Sequence, residues 1–170
     1  MALIKELLGK LPKIGLDSWL AENSVVIGDV DMGERCTLWY HAVIRGDVNY
    51  IRIGNEVNIQ DHAMIHCTYQ KCGTTIGNKV SIGHRAIVHG CVLEDEVLIG
   101  MGAIIMDNVI VESGAVVAAG AVVLEGTRVP AGTVWAGVPA KQVKSSDAAK
   151  MRELIQRTAD NYVKYAEWYR

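Results

Sequence analysis

Aliphatic residues recur every six positions along most of this chain, and few folds tolerate such a pattern. From Ala21 the series runs through Ile27, Met32, Leu38, Ile44, Ile53, Ile59, Ile65, Ile76, Ile82, Val88, Leu93, Ile99, Ile105, Val111, Val117, Val123 and Val129 to Trp135, and 17 of these 19 positions hold Ile, Leu, Val or Met. Most are followed, four residues on, by a small or β-branched residue such as Val57, Ala63, Val80, Ala86, Val97, Ala103 or Ala115. The period matches neither the alternation of a long strand nor the 3.6-residue turn of a helix. It fits a coil of three short strands joined by turns, stacked on its neighbours as a parallel β-helix. The aliphatic residue then fills a triangular prism, and the small residue sits near a corner. Gly28, Gly33, Gly54, Gly77, Gly83 and Gly100 follow the aliphatic residue and are expected to supply corner conformations with positive φ. Coils stack at strand spacing, about 4.8 Å, and about six of them fit between Ala21 and Ala140.

Composition agrees with a narrow prism. Phe is absent, aromatic residues make up 6%, and 17 residues are Gly, so Ile, Val and Ala must build the core. A charged fraction of 21% with a net charge of −2 excludes a disordered chain. It also argues against nucleic acid as the main partner. The longest apolar run, Ala115 to Leu124, is too short to span a membrane. The start of the chain lacks the apolar stretch of a signal peptide. Cys36, Cys67, Cys72 and Cys91 form no C-x-x-C pair, as befits reduced thiols in the cytoplasm.

The register breaks in informative places. Two steps are five residues long, Ile27 to Met32 and Val88 to Leu93; extra residues precede Ile53, and a loop over Thr68–Gly73 bulges from its coil. Val-Pro-Ala-Gly at 129–132 and Gly-Val-Pro-Ala at 137–140 close the repeat, so residues 1–144 are expected as the hexapeptide-repeat domain. Residues 145–170 switch to helical spacing at Met151, Leu154, Ile155, Thr158, Ala159, Tyr162, Val163 and Ala166. This predicts an amphipathic helix of the same domain, capped by Asp147 or Ser146. It would pack along a side of the prism or on a neighbouring subunit. The fold class expected is all-β with a terminal α-helix.

Assigning Ile76 to face one, Ile82 to face two and Val88 to face three puts Arg45, His66 and His89 in one column on successive coils of face three. Asp61 and His84 form a second column on face two, with Gln60 beside Asp61. His66 and His89 are close enough to share one metal ion, and a third imidazole would complete a three-histidine site open to water. His84 is the candidate, yet it sits on another face. The conflict disappears if face three of one subunit meets face two of the next in a closed three-fold homo-oligomer. Arg45 and Asp47 of the Arg45-Gly46-Asp47 unit are expected to pair across that interface; an adhesion role for the tripeptide does not suit a reduced cytoplasmic chain. His41 and His62 are expected simply to face water. Gly100-x-Gly102 lacks the third glycine of a dinucleotide fingerprint.

Val43-Ile44-Arg45-Gly46-Asp47, Asn58-Ile59-Gln60-Asp61, His66, Ile82-Gly83-His84 and Val88-His89-Gly90-Cys91 together resemble the γ-class carbonic anhydrase family, from about Val25 to Lys141 plus the helix. The resemblance implies a left-handed β-helical homotrimer. It implies one zinc, iron or cobalt ion per subunit interface, held by His66 and His89 of one chain and His84 of the next. It also implies carbon dioxide and bicarbonate as substrate and product, attack by metal-bound hydroxide, Gln60 and Asp61 near the bound solvent, and an Arg45–Asp47 ion pair. Two departures are visible. Val48 stands where the archetypal enzyme has a glutamate, and the loop Cys67–Gly73 carries no carboxylate to act as proton shuttle. Proton export would then use water, buffer or another group such as Tyr162. Other hexapeptide β-helices are acyl-CoA transferases, and the Gly137–Lys141 closing run is shared with them. Acyl-CoA transfer or thioester hydrolysis is therefore a second expectation, and a non-catalytic metal-bearing trimer a third.

Overall fold

The computed structural model describes residues 1–145 and 147–170, with Ala148 by its backbone alone; the capping position considered at Ser146 lies outside the described residues. Short parallel strands stack in three columns around an interior that is almost entirely apolar, with hydroxyls such as those of Ser24 and Thr74 bonded to backbone. Ile53, Ile76, Leu93, Val111 and Val129 form face one. Leu38, Ile59, Ile82, Ile99, Val117 and Trp135 form face two. Ile44, Ile65, Val88, Ile105 and Val123 form face three. Faces one and three join in a 12-stranded sheet because Val25–Met32 and Val43–Ile53 run round the corner between them; face two is a separate 8-stranded sheet. Most rungs bury an aliphatic side chain, each worth about 1.5–3 kcal/mol, and the ladder hydrogen bonds of one coil are satisfied by the next.

The structure corrects the register of the first coil. Val26, fully buried, pairs with Ile44, whereas the neighbouring Ile27 points outward. Leu20 in turn pairs with Leu38. Val26 to Met32 is thus an ordinary six-residue step, and only Val88 to Leu93 is short. Upstream, Ile4 pairs with Val26 and Ile14 with Met32, so the N-terminal residues add a further coil and each face carries seven levels rather than six.

Glycine works differently from the expectation. Of the six glycines that follow an aliphatic residue, only Gly28 has positive φ. The others are small because coils touch there: a Cβ on Gly54 would lie 2.8 Å from the carbonyl carbon of Gly77 and 2.9 Å from the amide nitrogen of Asn78. The left-handed corner conformation is carried in the earlier coils by ordinary residues, Arg35, Glu56, Lys79 and Glu96 at one corner and His41, His62 and Arg85 at another, and in the last coils by Gly114 and Gly132 at the first and Gly102 and Gly120 at the second.

The loop over Thr68–Gly73 leaves the coil as foreseen, closed by the Thr68 amide donating to the Cys72 carbonyl at 3.0 Å. The residues inserted before Ile53 lie in the strand Val43–Ile53, where Asn49 Nδ2 donates to the Thr68 carbonyl at 3.2 Å. The two insertions therefore brace one another.

After Ala136 the chain doubles back as an antiparallel strand, Lys141–Ser145, which the six-residue pattern gave no sign of. The helix is Ala148–Ala166, and the Asp147 carboxylate accepts the Ala149 amide at 2.8 Å as its cap. It lies along face two of its own prism. Ile155, Ala159 and Ala166 are buried and Tyr162 half-buried, while Leu154, expected on that stripe, is 48% exposed.

Candidate metal centre

His66 and His89 are directly paired residues of adjacent strands on face three. Strand neighbours on the same side of a sheet stand about 5 Å apart, and these two rings have centroids 5.0 Å apart. Nδ1 of His66 faces Nε2 of His89 at 3.0 Å. The outer nitrogens are both taken by carboxylates: His66 Nε2 meets Asp47 Oδ1 at 2.9 Å, and His89 Nδ1 meets Asp107 Oδ1 at 2.6 Å. On face two, His84 Nδ1 meets Asp61 Oδ2 at 2.9 Å.

Each of the three histidines therefore has one ring nitrogen fixed by an aspartate. A carboxylate on one nitrogen sets the tautomer and turns the other into a lone-pair donor, the arrangement that orients metal-ligating imidazoles. A tetrahedral ion with Zn–N bonds of about 2.0–2.1 Å holds its nitrogens about 3.3 Å apart, a few tenths of an ångström more than the gap between His66 and His89. The donor set fits a borderline transition metal. His84 lies on a different face of the same chain, so among the described residues no three His, Cys, Asp or Glu side chains of one chain surround a single point.

Electrostatics keep His66 in the form that a metal ligand would need. Burial, aided by the Arg45 charge and opposed by the Asp47 hydrogen bond, holds it below the usual imidazole value. It is neutral at pH 7, as coordination requires. Burial alone would raise Asp47, but hydrogen bonds from His66 and Arg45 bring it below the usual carboxylate range. Burial likewise opposes the ionisation of Asp107, and Thr68, His89 and Lys71 together overcome it and take Asp107 down to about 2.

The remaining predicted residues fall as follows. Within the chain Arg45 pairs with Asp47, because residues two apart in the strand Val43–Ile53 project to the same side. Gln60 is buried and donates from Nε2 to Asn58 Oδ1 at 3.0 Å, while Asn58 donates to Ser81 Oγ at 2.7 Å. Gln60 keeps its carbonyl oxygen as an acceptor. Tyr162 packs edge-on against Trp39, with centroids 5.4 Å apart. Burial first, and then the Asp61 and Tyr165 charges, push its phenol up to about 12, so it holds its proton at neutral pH. Val48 packs against the core. His41 and His62 are exposed, as expected, and stack with centroids 4.8 Å apart. All four cysteines are free.

The sequence pattern missed Asp107, Thr68 and Lys71. An aspartate in a turn of a hexapeptide repeat is ordinary. The signal that could have found Asp107 is its place one coil beyond His89, directly after Met106, which takes the next position in the column drawn from Arg45 through His66.

Fold and site together define a hexapeptide-repeat β-helix protein with carboxylate-braced histidines on two of its faces. Residues 90–125 match the bacterial transferase hexapeptide (six repeats) model. A Methanocaldococcus jannaschii protein named "Probable carbonic anhydrase" is 51% identical over 148 residues, covering 87% of this chain and 92% of that one. The mitochondrial gamma carbonic anhydrase 2 of Arabidopsis thaliana is 39% identical over 163 residues, covering 93% of this chain; the chain spans only 58% of that relative's length. A crystal structure of a hexapeptide transferase family protein from Anaplasma phagocytophilum superposes with a TM-score of 0.93 at 35% identity, covering 99% and 98% of the two chains. The chain belongs to the γ-class carbonic anhydrase-like family of hexapeptide-repeat proteins. No helix among the described residues is long and apolar enough to cross a membrane.

Proposed function

We propose that this chain forms a homotrimer with one metal ion at each subunit interface and hydrates carbon dioxide to bicarbonate there, as a γ-type carbonic anhydrase. The observation that carries this is the trio of aspartate-braced histidines, two facing each other at 3.0 Å on face three and one on face two. His66 Nδ1, His89 Nε2 and the Nε2 of His84 from a neighbouring chain would hold zinc, iron or cobalt, since imidazole suits all three. When bound, such an ion lowers the pKa of a coordinated water to about 7, which makes hydroxide available at neutral pH.

The chain's own residues do the rest. Gln60, fixed through Asn58 and Ser81, offers its carbonyl oxygen to orient the nucleophile or the substrate. Asp61 holds His84, and Arg45 neutralises Asp47 beside His66. The proton leaves through water or buffer, because the inserted loop has no carboxylate and Tyr162 holds its own proton. The cytoplasm is the setting proposed, where unpaired thiols stay reduced.

Stopped-flow hydration assays of zinc-loaded protein, and of an Fe(II)-loaded anaerobic sample, test the activity. A rate above buffer that vanishes in His89→Ala is expected; no rate above buffer in either sample contradicts it. One observation favours a second reading, acyl-CoA chemistry: the superposable Anaplasma phagocytophilum protein is called a transferase. Turnover across a panel of acyl-CoA thioesters would establish that reading, whereas no turnover and no CoA-dependent thermal shift would remove it. A trimer that binds metal yet turns over neither substrate class would leave the structural role.

A further inference from the structure

Three irregularities of the sequence converge on Asp107: the inserted loop 68–73, the short step from Val88 to Leu93, and Gly90 within that step. Asp107 Oδ1 lies 2.6 Å from Nδ1 of His89. Its Oδ2 accepts the Thr68 hydroxyl at 2.7 Å and pairs with Lys71 Nζ at 3.4 Å. Lys71 continues to Glu125 at 2.7 Å. Gly90, with a φ of +55°, makes the approach possible. A Cβ there would fall 2.6 Å from Cys72 Sγ and 3.0 Å from Asp107 Cγ. Losing one residue from the step leaves this glycine as the whole corner between His89 and Cys91, so a carboxylate from the next coil can reach back to the imidazole. The loop, which carries no carboxylate of its own, places a hydroxyl and an ammonium on that same carboxylate.

We propose that Asp107 is the positioning residue of the metal centre: it accepts the Nδ1 proton of His89 so that Nε2 is presented to the ion, and through Thr68 and Lys71 it fastens the inserted loop to that ligand. The assignment rests on the metal reading above and gives the loop a purpose that reading leaves open. The loop acts here as a brace for a ligand and not as a carrier of protons. Asp47 and Asp61 do the corresponding work for His66 and His84, but among the described residues neither bonds to the loop 68–73.

Zinc titration of the trimer against a chromogenic chelator tests it. Asp107→Asn, nearly the same shape but with no charge to hold the imidazole proton, is expected to weaken zinc binding about 10–100-fold, and Asp107→Glu to recover part of the loss. Glu125→Gln removes the far partner of Lys71 and is expected to leave affinity unchanged. Imidazole 15N spectra of the zinc-loaded parent protein are expected to show His89 protonated at Nδ1 and metal-bound at Nε2, a readout that needs no variant to fold. Unchanged affinity in Asp107→Asn, or coordination of His89 through Nδ1, overturns the assignment of Asp107 while leaving the metal centre standing. A parent protein that takes up no zinc overturns both.

Discussion

Among individual residues, the cysteines combine burial with chemistry in a way that can be measured. The Cys36 thiol donates to the Gly54 carbonyl at 3.1 Å and is 1% exposed. Burial, only partly offset by backbone hydrogen bonds, raises its pKa from 9.0 to about 11; burial also pushes Cys91 up. These are closed thiols, not nucleophiles. A pKa raised on folding means stability that is intact below the unfolded value near 9 and is lost as pH climbs towards the folded value near 11. At pH 10 Cys36 alone is expected to cost on the order of 1 kcal/mol relative to pH 8. Urea denaturation at both pH values checks this: the difference should shrink by that amount in Cys36→Ala, and an equal difference in the two proteins would count against it. The sequence showed these thiols only as unpaired; their burial came from the fold. Nor was Val26 readable as the inward residue, because Val26 and Ile27 are both β-branched and hydrophobicity cannot choose between them. Their pairing partners decide, with Val26 opposite the buried Ile44 and Ile27 opposite Arg45.

The C-terminal helix illustrates the same limit one level up. Its 3.6-residue period was plain, yet periodicity gives a stripe without saying where its centre faces. Packing on face two buries Ile155 completely and leaves Leu154 half in water. Ile155→Ala is therefore expected to destabilise by about 2–5 kcal/mol, and Leu154→Ala by less than about 1 kcal/mol, in thermal or urea unfolding. Equal losses would mean that the stripe is centred elsewhere. The strand Lys141–Ser145 stayed hidden because an antiparallel edge pairing outside the prism needs no inward aliphatic residue every six positions. The first coil was obscured by uneven spacing between Ile4, Ile14 and Leu20. Asp107 was obscured by chemistry, since carboxylates are common turn formers and its purpose depends on a glycine and a loop from other coils.

For the molecule as a whole, the prism explains how so few polar residues become a site. Parallel stacking brings residues more than 20 positions apart in sequence, such as His66 and His89, into neighbouring rungs. It also separates His84 from them by a corner, so one chain holds only part of the proposed ligand set. The central claim is that face three of one chain and face two of the next complete it. The direct test mixes two inactive variants, unfolded and refolded together: the double variant His66→Ala/His89→Ala, and His84→Ala. Neither alone should retain a transition metal. In a mixed trimer one interface joins an intact face three to an intact face two, so elemental analysis should find about one ion per mixed trimer. Mixed trimers that remain metal-free, or metal retained in full by His84→Ala alone, would contradict a site shared between subunits.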